Sequence, residues 1–294
     1  MIQQAITDAN LHLKNIDAVS VTYGPGLAGS LLVGVNAAKG LALSMDLPLI
    51  GVNHLEGHIY AAWLTNTAPD NTPGFPLICL IASGGHTDLI LMTNHGTYQS
   101  IGYTRDDAAG EAFDKAARIL GLGFPGGPEI EKTAKPASKN IQLPRAWLKG
   151  SFDFSFSGLK TAVLHKAQEM NIYPHNKDST SESITDLATA FQESVVDILT
   201  QKTIEASKIY DAKGIIVGGG VAANSLLRQR IQSKSSLPVI IPDPILCTDN
   251  GAMIASCAYY RLKSGHISNN ALDIDPSLDL GRECNLGKIQ SAPF

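Results

Sequence analysis

Residues 47–64 read LPLIGVNHLEGHIYAAWL, and this stretch decides the fold class. Its first half is a short apolar run ending at Asn53. Its second half has apolar residues at helical spacing, so a buried strand feeds straight into a helix. His54 and His58 stand four residues apart and share one face of that helix, one turn above the other. Two imidazoles so placed offer nitrogens to a single divalent metal. In the zinc-protease pattern H-E-x-x-H, the acid follows the first histidine and activates the metal-bound water. Here Glu56 comes two residues after His54, roughly 200° around the helix, and points away from the metal face. The pair reads as a metal grip without a protease base. Two helix histidines that only cap or pack are the competing reading.

Upstream, residues 2–13 read as a helix with Ile2, Ile6, Ala9 and Leu13 on one face, and residues 16–22 (IDAVSVT) as a buried strand. Gly24-Pro25-Gly26-Leu27-Ala28-Gly29-Ser30 then opens a small-residue helix through Leu43. A strand, a glycine turn and a helix N-terminus form an anion-binding arrangement, because free N–H groups point at the ligand. The spacing matches neither the Walker nor the dinucleotide pattern, and glycines for close helix packing account for it equally. The β-α-β-α order with short links predicts an α/β lobe.

Downstream, the polar, Pro/Gly-rich residues 65–76 mark the expected lobe boundary. The expected division is an N-terminal lobe over 1–76, a second lobe over 77–262 and a tail over 263–294 that packs back. Residues 77–93 read as a hairpin around Ser83-Gly84-Gly85-His86-Thr87, a turn whose hydroxyls and N–H groups suit phosphate, or which is plain turn chemistry. Residues 106–121 predict an amphipathic helix with Asp106 and Asp107 at its start, where the dipole favours them, and Asp114 inside it beside the PGGP turn. Lys135, Lys139, Arg145, Trp147 and Lys149 interleave cations with an aromatic, a pattern that serves nucleic acid or a surface connection. Residues 174–183 read as a polar loop before a long helix through Tyr210, with Leu187, Phe191, Val195, Ile198 and Leu199 facing a core. A third glycine turn, Gly218-Gly219-Gly220, lies between a strand and a helix beginning near Asn224, and suits a nucleotide's sugar or base edge. Asp249 sits in a polar turn between an apolar strand and a helix of small residues. It would complete a His₂-Asp metal centre with open positions, or cap the helix that follows.

The net charge of −4 and pI near 6.0 exclude a generally basic nucleic-acid coat, so such contact needs a local patch or a partner's surface. Cys79, Cys247, Cys257 and Cys284 are scattered with no C-x-x-C, which fits a reducing cytosol and a cytoplasmic protein. The opening MIQQAITDAN has no basic segment followed by an apolar core, so no signal peptide is expected. The apolar region from Leu27 to Val52 is broken by Asn36, Lys39, Asp46 and Pro48, so no membrane span is expected.

Seven blocks, NHLEGH, SGGHT, DDAAGEAFDK, PGGP, FSFSGLKT, GGGVAANS and CTDNGAMIA, run in that order from residue 53 to 255. Together they closely resemble the family of catalytic subunits that make N6-threonylcarbamoyladenosine in tRNA, formerly called glycoproteases. The resemblance implies a two-lobed α/β fold of the actin/Hsp70-like ATPase (ASKHA) type. It implies that His54, His58 and Asp249 ligate one divalent metal, Fe(2+) ahead of Zn(2+). It implies a nucleotide-facing loop over Ile81, Ala82, Ser83, Gly84 and Gly85, with Asp114, Gly127 and Asn224 lining the nucleoside site. Glu131 stands where many members carry an Asp at the ribose. The implied reaction passes a threonylcarbamoyl group from threonylcarbamoyl-AMP to the exocyclic amine of the adenosine just 3′ of the anticodon, in tRNAs reading codons that start with A. The implied partners are tRNA, a paralogous inactive subunit and a small ATPase of the bacterial threonylcarbamoylation complex, with no membrane. Family members open with a strand bearing an E-T-S-C-D-E-T-like motif that this sequence does not show, so the first lobe is expected to be incomplete at its N-terminus. The competing functions are a metalloprotease, carried only by H-x-x-x-H, and a truncated version that binds nucleotide or a partner without catalysis.

Overall fold

In the computed structural model the described residues are 2–65, 69, 73–134, 141–174 and 180–281. Helix α1 (Ile2–Asp8), strand β1 (Val19–Gly24), helix α2 (Ala28–Met45), strand β2 (Leu49–Asn53) and helix α3 (His54–Tyr60) come first. A meander follows, β3 (Leu77–Ala82), β4 (Thr87–Asn94) and β5 (Thr97–Tyr103), then helices α4 (Ala109–Ile119), α5 (Gly126–Thr133), α6 (Ser157–Glu169) and α7 (Ser181–Ile209). Strand β6 (Gly214–Gly218), helix α8 (Ser225–Lys234), strand β7 (Val239–Ile240), and helices α9 (Pro244–Cys247) and α10 (Gly251–Lys263) complete the order.

Strands β1 and β2 pair in parallel, with Val19 opposite Leu49 and Val21 opposite Gly51. The second sheet has the order β5-β4-β3-β6-β7, with β3, β4 and β5 antiparallel in turn and β6 and β7 parallel to β3. β3 is the central strand and all six of its residues are buried, which is why its sequence is an uninterrupted apolar run. Its alternating side chains feed two cores. Ile78, Leu80 and Ala82 join the core beneath α4–α8, while Leu77, Cys79 and Ile81 join the core beneath α3 and α10.

Several local expectations are corrected. α1 ends at Asp8 and buries no residue, so the face carrying Ile2 and Ile6 is not a core face. α4 begins only at Ala109, so Asp106 and Asp107 precede it. Asp106 instead holds the start of α6, accepting from the backbone N–H of Phe156 (2.8 Å) and the hydroxyls of Ser155 and Ser157 (both 2.6 Å). α7 starts inside the expected 174–183 loop, where the Thr180 hydroxyl accepts from the Ser183 N–H. The strand before Asp249 shrinks to two residues, because Pro242 has no N–H for a ladder bond and Pro244 opens the short α9. Lys135, Lys139 and Cys284 lie outside the described residues. Arg145 is held by Asp197 through Nε (2.9 Å) and Nη2 (2.6 Å).

Among the described residues α2 is the one helix long and apolar enough, by length and composition, to cross a membrane. It lies on the first sheet and buries Leu31, Val35, Ala38 and Ala42 there. Beyond α10 the chain returns across both sheets. Ser268 N–H donates to the Leu49 carbonyl and Asp275 N–H to the Tyr23 carbonyl (both 2.8 Å), and Leu280 is buried in the α3/α10 core.

Candidate metal and nucleotide site

Asn53 ends β2 and accepts from the Leu55 N–H at 2.9 Å, which caps α3 and makes His54 its first residue. His58 lies one turn on, and the two rings meet edge to face with centroids 4.8 Å apart. Asp249, on the turn before α10, places Oδ1 3.4 Å from His54 Nε2 and 3.2 Å from His58 Nε2. The structure therefore brings three donors, far apart in the chain, within 4.8 Å of one another. Asp249 does not cap α10. Asn250 does, accepting from the Met253 N–H at 2.8 Å, and the Asp249 carboxylate stays with the imidazoles. The imidazoles of His54 and His58 facing it hold that carboxyl well below the usual range, against the opposing effect of partial burial.

The His58 side chain is 1% exposed, yet neither ring nitrogen has a hydrogen-bond partner, the 3.2 Å approach to Asp249 being poorly aligned. An unsatisfied buried polar atom costs about 1–3 kcal/mol. A cation at the point shared by the three donors would satisfy Nε2 and the carboxylate together, so the residues fit a metal. Glu56 takes the opposite direction, as the helical phase requires. It is fully buried, accepting from Tyr98 OH (2.9 Å) and Arg261 Nε (2.8 Å).

One further neighbour comes from the SGGHT turn. His86, in the β3–β4 turn, faces the pair, and burial, then the adjacent His54 and His58, push its pKa down. Its SGGHT turn is legible in the sequence, but only the sheet pairing brings the imidazole to the other two. His86, Gly85 and Asp88 line a cavity of about 630 Å³ with Leu55, Pro25 and Asp279. Burial and the nearby Asp279 raise the Asp88 carboxyl from 3.8 to about 7. The folded protein then holds a proton that the unfolded chain releases between those values, so stability falls as pH rises through that window. The cost is on the order of 4 kcal/mol by pH 8. Asp88→Asn is expected to raise the urea midpoint at pH 8 and to change it little at pH 4. Equal effects at both values would show that Asp88 is not the titrating group.

The glycine turns divide by what they touch. A Cβ on Gly218 would lie 2.7 Å from the His58 carbonyl oxygen, and Gly219 has φ +86° against the Ala82 backbone. Only Gly220 of the three faces open space, so the other two serve close packing of β6 on α3 and β3. At Gly24 the tail residue Asp275 fills the same role, and the Gly26 N–H donates to the Pro276 carbonyl, which leaves the first turn covered by protein.

Of the nucleotide-facing candidates, Ile81 and Ala82 are fully buried strand residues, and the loop proper begins at Ser83. The Ser83 hydroxyl accepts from the His86 N–H (3.2 Å), and its carbonyl accepts from the Gly110 N–H (3.0 Å), which docks α4 on the turn. Gly84 and Gly85 are exposed. Asp114 accepts from the Gly126 N–H at 2.7 Å, and Gly127 has open space beside it. Glu131 accepts from both the N–H and the hydroxyl of Ser225. Asn224 is 6% exposed, capping α8 through the Leu227 N–H (3.0 Å) and donating to Gln192 (2.8 Å). Asn224→Ala is expected to cost about 1 kcal/mol in urea unfolding through loss of the cap, and Asn224→Asp to retain most of it. An unchanged midpoint in the alanine variant would remove the cap from the account. The turn after β3 and the turn after β6 lie at the carboxyl ends of two parallel neighbours, where open α/β sheets bind ligands.

The sequence profile of the family described as "TsaD: tRNA N6-adenosine threonylcarbamoyltransferase" matches residues 1–256. The chain is 52% identical over 280 residues to the tRNA N6-adenosine threonylcarbamoyltransferase of Dehalococcoides mccartyi, covering 95% of this chain and 82% of that protein. It is 46% identical over 287 residues to the protein of the same name from Bacillus cereus, covering 95% and 80%. Among solved structures, HypF of T. kodakarensis superposes with TM-score 0.61 at 13% identity, over 90% of this chain and 43% of that one. Component A of the Acidaminococcus fermentans (R)-2-hydroxyglutaryl-CoA dehydratase gives 0.52 at 15%, over 90% and 82%. At such identities the likeness is one of fold, the α/β architecture of the actin/Hsp70-like ATPases.

Proposed function

The chain belongs to the tRNA N6-adenosine threonylcarbamoyltransferase family, a family of transferases, and we propose its reaction and substrates from that premise. The acyl donor is threonylcarbamoyl-AMP. The acceptor is the N6 amine of the adenosine just 3′ of the anticodon in tRNAs reading codons that start with A. The amine nitrogen bonds to the carbamoyl carbon, the bond from that carbon to the phosphate oxygen breaks, AMP leaves with the electron pair, and the amine proton is released.

The observation that carries this reading is the buried His58 with both ring nitrogens unsatisfied, beside His54 and Asp249. Two imidazoles and a carboxylate with open positions suit Fe(2+) or Zn(2+), and the family resemblance puts Fe(2+) first. A bound ion would supply positive charge for the donor's phosphate or carbamoyl oxygen. The exposed Gly84 and Gly85 precede His86, which faces the pair, and their backbone N–H groups would stabilise developing negative charge. Asp114, Gly127, Glu131 and Asn224 gather where α4, α5 and the start of α8 meet, and this neighbourhood is assigned to the nucleoside of the adenylate. Glu56 is committed to Tyr98 and Arg261, so a metalloprotease would lack its base.

The partners in this reading are tRNA, a paralogous inactive subunit and a small ATPase, in the cytoplasm. The surface assigned to the paralogous subunit is the outer face of α2, where Leu32 is 45% exposed and Leu43 72%. The double substitution Leu32→Glu/Leu43→Glu is expected to abolish co-elution with that subunit while leaving metal content unchanged. Unaltered co-elution would place the interface elsewhere.

The test of the reaction is a reconstituted transfer with unmodified tRNA, threonine, bicarbonate, ATP, the adenylate-forming enzyme and the partner subunits, read by mass spectrometry of the nucleosides. Modified adenosine above a no-protein control is expected. Folded, metal-loaded protein that yields none would overturn the reading in favour of a nucleotide- or partner-binding protein.

A further inference from the structure

The two histidines and the aspartate of the candidate metal centre come from separate elements, and something must hold those elements in register. The contact between α3 and α10 does so. A Cβ on Gly57 would lie 2.6 Å from Ile254 Cδ1, so the helices approach closely there. The Ser256 hydroxyl donates to the Tyr60 carbonyl at 3.0 Å. The polar centre of the contact is Glu56, whose Oε2 accepts from Arg261 Nε (2.8 Å) and Nη2 (2.5 Å), while Oε1 accepts from Tyr98 OH. Glu56 lies between the two histidines in sequence, and Arg261 lies on the helix that Asp249 precedes.

We propose that the Glu56–Arg261 pair is the positioning pair of the metal centre, fixing α10 against α3 so that Asp249 meets His54 and His58. The inference rests on the metal reading of those three residues. Its physical basis is directional. A forked guanidinium–carboxylate pair fixes both distance and orientation, whereas apolar contact alone lets helices slide. The Asp249 side chain is 76% exposed, and the turn that carries it runs directly into α10 through Asn250, the cap of that helix. Its position is therefore inherited from α10. Leu55 holds the position where a zinc protease carries its base, and Glu56, the acid between the histidines, serves in the frame of the site from the opposite face of the same helix.

The test is a Co2+ titration of the full-length protein, followed by visible absorption, on wild type, Glu56→Gln, Asp249→Ala and the double variant. Glu56→Gln is expected to weaken Co2+ binding by about 10–100-fold, the range for outer-sphere changes at metal sites. In the Asp249→Ala background the same change is expected to have no further effect, because the ligand it positions is gone. Arg261→Lys, which keeps the charge and loses the fork, is expected to fall between wild type and Glu56→Gln, and it serves as the probe if Glu56→Gln does not fold. Wild-type affinity in the folded variants would overturn the proposal. So would an equal loss with and without Asp249, which is the mark of general damage to α3. Equal Co2+ affinity in wild type and Asp249→Ala would instead overturn the metal reading on which the pair's role depends.

Discussion

His58→Ala protein is expected to bind divalent metal more than about 100-fold more weakly than wild type, beyond the range for changes outside the ligand set. The side chain is 1% exposed, and both of its ring nitrogens lack hydrogen-bond partners. Removing it therefore deletes a donor while sparing the metal-free protein two unsatisfied polar atoms. Asp249→Ala is expected to lower metal content comparably. Its circular dichroism should match wild type, since Asn250 and not Asp249 caps α10. Metal per chain after extensive dialysis, measured by plasma mass spectrometry, checks both. Full retention in Asp249→Ala would take Asp249 out of the site, and retention in His54→Ala and His58→Ala as well would dismiss the site.

The second large effect is expected from Gly218→Ala. The added methyl would stand 2.7 Å from the His58 carbonyl oxygen and 3.1 Å from Ile81 Cδ1. The Ile81 methyl can shift, but the His58 carbonyl is backbone of α3 and cannot yield cheaply. A loss of about 1–3 kcal/mol in urea unfolding at unchanged m is expected, together with weakened metal binding, because α3 must move to make room. Gly220→Ala is the control. Nothing lies within 4 Å of its added methyl, and its midpoint should stay within about 0.5 kcal/mol of wild type. A Gly218→Ala protein as stable and as metal-competent as Gly220→Ala would show that β6 does not set the position of α3.

These two substitutions separate what local pattern reveals from what packing decides. The i, i+4 spacing of His54 and His58, and the opposed phase of Glu56, follow from helical geometry alone. Both are found in α3, with Glu56 turned to Arg261 on the far face. The hairpin around Ser83–Thr87 and the strand–glycine–helix order around Gly218 are equally legible from periodicity and breakers. The purpose of those glycines is not. Gly218 and Gly219 look the same in sequence as glycines that cradle a ligand, and only the position of His58 and Ala82 shows that protein backbone fills the space. By sequence Asp106 is a dipole partner of the helix that follows it. In the fold it reaches α6 instead, since the Thr104–Phe154 bridge brings the 154–157 segment alongside.

Much of the element order and the pair of histidines can be read from the residues in a line, because they depend on side-chain periodicity and on turn residues within a few positions of one another. The ends of α1, α4, α7 and β7 are set by the fold. The meeting of Asp249 with His54 and His58, the approach of His86 and the tie from Glu56 to α10 come from folding in three dimensions. Each depends on how β3 and β6 pair and how α10 lies across α3. Such contacts join residues far apart in the chain, and no local spacing encodes them.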